Sequence, residues 1–364
     1  MRRRFLAVSL TAAAVALTLS PSTAHANYRP AQGTESGVST AAESASVKEI
    51  RAHWTPERMR QALRNDLALP KSSQGAERSS SRSGIPPKAG ARSAHAVSPS
   101  TTSTTSTQFT TSAAAADEIS VAQEVPYTTA PQYALVGRLF FDDPTGAPHT
   151  CSASSIVANN KNTLWTAGHC VHKGDGTGDA GWMKNFMYIP GYRDGSGPLG
   201  AWAVKTKITP NSWMESGDLK GSDYAALVLD PHPTHGNLQD RVGAFGYLFA
   251  SNVTDYSDVY SAGYPGKGYN RTDFTGERMM FCYGNTVDAG PWNPLDDRLS
   301  MDCDMGEGSS GGPMVHGKSS TNPQIVGAIS HHEADGNGNR ISNDQFSSIH
   351  DSQAGNVIDA ANAA

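Results

Sequence analysis

From about Val125 onward the chain is cut into short β-like runs by Gly, Pro, Asn and Asp, and that rhythm constrains the fold most. In the first half the runs are Tyr133–Phe141, Thr150–Ala158, Thr163–Ala167, Phe186–Tyr192, Trp202–Ile208 and Tyr224–Leu229. The second half has Tyr256–Gly263, Arg278–Val287, Leu299–Cys303, Pro313–His316, Gln324–His332 and a weaker run near Ile341–Ile349. Helical periodicity is absent until Asn356–Ala363. About twelve short strands without internal repeats predict an all-β fold of barrels or sandwiches.

The 364 residues before that rhythm is subtracted include a different beginning. Met1-Arg2-Arg3-Arg4, an apolar stretch from Phe5 to Leu19 and Ala24-His25-Ala26 describe a secretory signal peptide over residues 1–26. The apolar stretch is too short for a membrane span. Arg2-Arg3-Arg4-Phe5-Leu6 leaves the export route open, whereas export itself is the expectation. Residues 27–120 read as a largely disordered pro-segment and Ser/Thr-rich linker, removed in the mature protein. One helix is expected there, with Thr55 as N-cap and Pro56 in its first turn, running through Met59, Ala62, Leu63 and Leu67. Residues 121–364 form the folded domain, with halves at about 130–245 and 250–350.

Net charge is unevenly spread. Residues 1–117 carry 14 basic and 7 acidic side chains, residues 118–364 carry 15 and 27, giving the net −5 of the whole. An acidic folded part argues against nucleic acid as a partner and would attract a basic segment, including the chain's own pro-segment. Cys151, Cys170, Cys282 and Cys303 in an exported chain imply two disulfides, with three pairings open. No two cysteines lie close enough in sequence to make a zinc ligand pair.

Chemistry concentrates in three places. In Gly306-Glu307-Gly308-Ser309-Ser310-Gly311-Gly312-Pro313, the glycines allow a tight turn whose amides point at one place. Ser310 is then a candidate nucleophile, with the Gly308 and Ser310 amides as oxyanion donors. A serine needs a base. Thr166-Ala167-Gly168-His169-Cys170 offers His169 after an apolar run, and Ser222-Asp223-Tyr224-Ala225 puts an acid at the mouth of another. A histidine of this kind needs a carboxylate to fix its tautomer and balance its charge.

Those three motifs, in that order, resemble the secreted bacterial chymotrypsin-like (trypsin-like) serine peptidases, nearest the glutamyl-endopeptidase-like branch. Pro190-Gly191-Tyr192 and Gly263-Tyr264-Pro265 are weaker supporting matches. The resemblance covers about residues 125–364. It implies two six-stranded antiparallel β-barrels with the site between them and a short C-terminal helix. It further implies a serine endopeptidase with His169 as base, Asp223 as its partner and Ser310 as nucleophile. Cys151–Cys170 would match the disulfide that brackets the histidine in that family, and the expected pairs are Cys151 with Cys170 and Cys282 with Cys303.

Two positions depart from the animal digestive members. Ser309 stands where they hold the aspartate that pairs with a freed N-terminal amine, so any latency must rest with the pro-segment. The specificity signals are mixed: Asp304 matches a carboxylate for basic residues, while Ser330, His331 and His332 resemble the histidine region of glutamyl endopeptidases. Asp335, Asn337 and Asn339 alternate like a calcium loop but lack its glycine and its glutamate, which favours a hairpin turn. The overall expectation is a secreted, extracellular, monomeric zymogen acting on protein or peptide substrates, without cofactor, metal, membrane or nucleic acid. The rivals are a catalytically silent binding relative and an esterase-type acyl hydrolase.

Overall fold

The computed structural model describes residues 37–65, 67, 92–100, 118–249, 253–290, 296 and 298–364. The signal-peptide reading lies outside these residues. Each of the twelve expected runs contains a strand. Six of them close the first barrel: β4 (Val136–Asp142), β5 (Pro148–Ile156), β6 (Thr163–Thr166), β7 (Lys184–Pro190), β8 (Trp202–Pro210) and β9 (Ala225–Leu229). The ring runs β4-β5-β6-β9-β8-β7 and returns to β4 by antiparallel pairing. Alternation decides what faces inward: Leu139 and Phe141 of β4 join Leu164, Phe186, Tyr188 and Trp202 in one buried cluster.

The second half places β11 (Val259–Gly263), β12 (Met280–Gly284), β14 (Leu299–Asp302), β15 (Pro313–His316), β16 (Gln324–His331) and β17 (Asp344–Ser347) in one sheet. Unlike the first, it is not closed by its own ladder, because β12 and β14 lie at opposite ends of the six-strand path and are not paired. The Cys282–Cys303 disulfide ties those ends together. An unforeseen strand, β3 (Ile119–Glu124), pairs with β12 on one side. On the other, its Ser120 carbonyl accepts from the Asp304 amide at 3.2 Å. A two-residue strand, β13 (Val287–Asp288), caps β14. The Cys151–Cys170 bond is present in the first barrel.

The expected helix over the last residues is α5 (Ser352–Ala363), capped by Asp351 and buried through Val357 and Ile358. Asp335 caps a turn by accepting from the Asn337 and Asn339 amides at 2.9 and 2.8 Å, so its carboxylate is engaged within a hairpin turn.

Before the barrels the chain is more structured than its composition suggested. The helix starting after Thr55 is α2 (Pro56–Ala62), with Thr55 Oγ1 accepting from the Arg58 amide. It is preceded by β1 (Val38–Ala42) and α1 (Val47–His53), and a further strand, β2 (Arg92–Ala94), follows. β1 adds antiparallel to β8 over Thr206–Pro210, where β7 leaves that edge unpaired. Ile50 and Trp54 of α1 and its cap are buried, with Trp54 against Phe140 and its indole N–H donated to the Asn185 carbonyl. β4 is consequently buried at every residue on both faces. Burial of side chains this large contributes roughly 1.5–3 kcal/mol each. β2 pairs with β10 (Gly246–Phe249), which lies parallel to β16.

Candidate active site

His169 lies in a single 3-10 turn, Gly168–Cys170, just after β6, and the Cys170 disulfide pins that turn to β5. Asp223 enters from the loop before β9 and is fully buried. Its Oδ1 accepts from the His169 backbone amide at 2.7 Å, and its Oδ2 lies 2.8 Å from His169 Nδ1. A carboxylate can only accept, so the proton sits on Nδ1 and the Nε2 lone pair is left to the cleft. Burial alone would raise the Asp223 carboxyl. The electrostatic pull of the His169 ring, with hydrogen bonds from His169 and Ser330, outweighs it and holds the group below the usual carboxylate range.

Ser310 and His169 line the same cleft. The glycine-rich turn around Ser310 is fixed by close approach. Gly311 has φ +79°, and a Cβ there would meet Thr166 Oγ1 at 2.0 Å and the Ser152 carbonyl at 2.4 Å. Within the turn, the amides of Gly306, Ser309, Gly311 and Gly312 donate to Lys267, Gly306, Ile329 and Ser309 carbonyls. Among the described residues, the Gly308 and Ser310 amides have no acceptor. Two unspent N–H donors flank Ser309 at the expected oxyanion position.

The residues expected to set specificity separate. Asp304 is buried with its Oδ2 2.7 Å from Arg271 Nη1 and its Oδ1 accepting from the Ala122 amide at 2.9 Å. It is not among the residues that line the cleft, and it holds β3 to the second sheet. Ser330 lines the cleft but spends its hydroxyl on Asp223 Oδ2 at 2.5 Å, and accepts from His331 Nδ1 at 2.8 Å. His331 Nε2 in turn faces Arg298 Nη1 at 2.8 Å, and burial with that cation pulls the imidazole down to about 3. A neutral His331 follows. His332 is partly buried at the rim, lowered by burial and by Arg340.

Leu63, Arg64, Asn65 and Leu67 line this cleft as well. Asn65 Nδ2 donates to the Pro148 carbonyl at 2.8 Å, and Leu63 reaches the Gly276 backbone. The segment upstream is anchored at Asp142, whose two oxygens face Arg58 Nη2 at 2.8 Å and His53 Nε2 at 2.7 Å. The space left open is about 240 Å³, smaller than ordinary ligand pockets. Sequence reasoning missed Arg138 and Ser152, which support the Ser310 turn. The available signal for the first was a charged residue inside the apolar run Val136-Gly137-Arg138-Leu139-Phe140-Phe141.

Two groups of three metal-type side chains lie close together, Cys151 with His169 and Cys170, and Cys282 with Cys303 and Asp304. All four cysteines are disulfide-bonded, so neither group offers thiolates. Among the described residues no helix is long and apolar enough to cross a membrane.

Comparison with solved structures finds the protease Anisep from Arthrobacter nicotinovorans at TM-score 0.56 and 28% identity. It covers 67% of this chain and 100% of that one. A thermostable serine protease from an extremophilic microorganism follows at 0.53 and 27%, covering 64% and 99%. A Glu endopeptidase at 0.51 and 19% covers 68% and 98%, and shares the fold. A curated relative, the extracellular metalloprotease of Bacillus subtilis (strain 168), is 32% identical over 121 residues, 33% of this chain. The match spans about a third of that relative's length. No family profile matches the chain.

Proposed function

We propose that this chain, which has the fold of the bacterial chymotrypsin-like serine proteases, is an exported serine endopeptidase made as a precursor. One observation carries the reading. His169 has its Nδ1 committed to Asp223, and it shares a cleft with Ser310 and the two unspent amides of Gly308 and Ser310.

The chemistry follows from those atoms. Ser310 Oγ attacks the carbonyl carbon of the scissile bond while His169 Nε2 takes the hydroxyl proton. The carbonyl oxygen becomes an oxyanion, met by the Gly308 and Ser310 N–H groups. Asp223 stays ionised and balances the imidazolium. The C–N bond then breaks as His169 returns the proton to the leaving amine. Water repeats the sequence on the acyl-enzyme, with its proton passing to His169 and then to Ser310 Oγ.

Latency belongs to residues 37–67. β1 on β8, α1 over β7 and β8, α2 over β4 and β5, and Leu63, Arg64, Asn65 and Leu67 in the cleft make an inhibitor built into the chain. Because β3 is a strand of the second sheet, a mature N-terminus at or before Ile119 keeps that strand. N-terminal sequencing of the extracellular protein checks this, and a start at Asn27 on an active enzyme would make the segment a retained stalk.

The decisive assay applies the purified extracellular protein to a peptide library and to simple esters, with and without a serine-directed phosphonate. Phosphonate-sensitive peptide cleavage is expected. Ester turnover without peptide cleavage would favour an acyl hydrolase, and no turnover of either would favour a silent binding protein.

A further inference from the structure

We propose that Arg138 is a positioning residue for this reaction: its guanidinium, reaching from the first barrel, orients the peptide planes that aim the Gly308 and Ser310 amides. This rests on the serine-peptidase reading and names a device beneath it.

Arg138 lies in the middle of β4, opposite Ser152 of β5 and Ile189 of β7, and is 1% exposed. Among the described residues no carboxylate lies in ion-pair contact with it, which is unusual for a buried cation. Two of its three partners are backbone oxygens of the second half, and the third is a hydroxyl of its own barrel. Nη1 donates to the Tyr264 carbonyl and, at 3.3 Å, to the Gly308 carbonyl, while Nη2 donates to Thr150 Oγ1. The Tyr264 ring lies beneath, 5.7 Å from the guanidinium carbon. Burial draws the group down to about 10, which leaves it charged at neutral pH.

Three consecutive peptide planes explain what that charge does. In the first, the Glu307 carbonyl accepts from the Gly266 amide at 2.7 Å, and the N–H at its other end is the free one of Gly308. In the third, the Ser309 carbonyl accepts from the Gly312 amide at 2.9 Å, and the opposite N–H is the free one of Ser310. A peptide is planar, so holding its carbonyl aims its N–H. The middle plane sets the rotation between these two. Its carbonyl is that of Gly308, held by Arg138 and by Ser152 Oγ at 2.9 Å, and its N–H, that of Ser309, donates to Gly306.

Gly308 adopts φ +93°, and a Cβ there would meet the Tyr264 carbonyl at 2.6 Å. Its freedom of rotation is therefore wide for the chain and must be restricted by partners. Ser152 completes the platform, since its hydroxyl also accepts from the Tyr264 amide and its own amide donates to the Ser310 carbonyl at 2.7 Å.

The test compares Arg138→Met, Arg138→Lys and Ser152→Ala with the parent mature enzyme, each corrected for competent sites by phosphonate titration. Arg138→Met should lower kcat roughly 10–100-fold with KM within about twofold, because the amides act only on the developing oxyanion. Affinity for a peptide aldehyde, which forms the tetrahedral adduct, should fall in proportion to kcat. Affinity for the cleaved product peptide should not change. Arg138→Lys should recover part of kcat, and Ser152→Ala should show a smaller loss with the same split. A kcat per competent site within threefold of the parent, or a loss confined to KM, overturns the proposal. If Arg138→Met does not fold, Ser152→Ala carries the test: a lower kcat with aldehyde affinity falling alongside and product affinity unchanged supports the proposal, and an unchanged kcat or a loss confined to KM overturns it. Activity surviving in Ser310→Ala would instead overturn the serine reading, so the two failures are distinct.

Discussion

The two halves of the molecule hold themselves together by different means. The first barrel closes through backbone ladders alone, returning from β9 to β8 and from β7 to β4. The second sheet does not pair β12 with β14, and relies on the Cys282–Cys303 bond, the inserted β3 and the Asp304–Arg271 pair to hold that seam. The closed half supplies His169 and Asp223; the seamed half supplies the Ser310 turn. In the proposed mechanism a base from the closed half thus faces a nucleophile loop whose own scaffold is assembled from discontinuous pieces.

The largest effect comes from separating the two contributions. Ser310→Ala and His169→Ala should each lower kcat/KM by roughly 10⁵–10⁶-fold, and the double variant should lose almost nothing more, because the groups act as a unit. A double loss near the product of the single ones would mean the halves do not act together. If Ser309→Ala lost activity where Ser310→Ala kept it, the nucleophile would lie one residue earlier.

Stability should distinguish the halves next. In urea unfolding, Cys282→Ser/Cys303→Ser should cost about 3 kcal/mol or more, and Cys151→Ser/Cys170→Ser clearly less. Both loops are of similar length, separated by 21 and 19 residues, so the chain-entropy part is nearly the same. The difference would come from the ladders that already join β5 to β6. Equal losses would remove the contrast between the two halves.

Asp304→Ala sharpens the same contrast at a single side chain. It strands the Ala122 amide and takes from Arg271 one of its two carboxylate partners, the other being Asp273, and should cost about 2 kcal/mol. Residue preference on the peptide library should stay the same. A shift away from basic residues would return Asp304 to the pocket.

A pH-dependent effect, about 1 kcal/mol at any one step of a pH unit, probes the junction. His350 accepts from the Trp165 indole at 2.9 Å on the first barrel, while its Nδ1 donates to the Ser348 carbonyl at 2.9 Å. Burial lowers it to about 4. The unfolded chain takes up this proton near pH 6.5 and the folded chain only near 4, so the unfolded state binds more protons between them. Stability therefore falls as pH drops through that window, by about 1 kcal/mol per unit from this group. His350→Gln, which cannot titrate, should flatten the urea-stability profile between pH 6.5 and 4.

Strand placement was legible because alternation and turn residues act locally, and Asp223 stood out as a partner for His169 because it opens an apolar run. What escaped depends on partners far along the chain. β3 and β10 are short and pair with strands more than 70 residues away, so nothing local marks them. α1 did carry a local signal, the capping box of Ser46 and Glu49, within a segment whose composition suggested no fold. Its stability comes from burying Ile50 and Trp54 on a barrel that the segment itself does not contain. For Ser330, which does line the cleft, sequence shows adjacency to His331 and His332 but not that its hydroxyl is directed at Asp223.

The edge-on pairing of β1 with β8 has a kinetic consequence. While the chain is intact, the covering segment meets its site at the effective concentration of a tether, of order millimolar. Cutting near residue 118 breaks no hydrogen bond of that strand. It only turns an intramolecular closure into a bimolecular one, so the nicked product should switch on by dilution. Concentrated samples would show a long lag and dilute ones a short lag, until the released piece is itself digested.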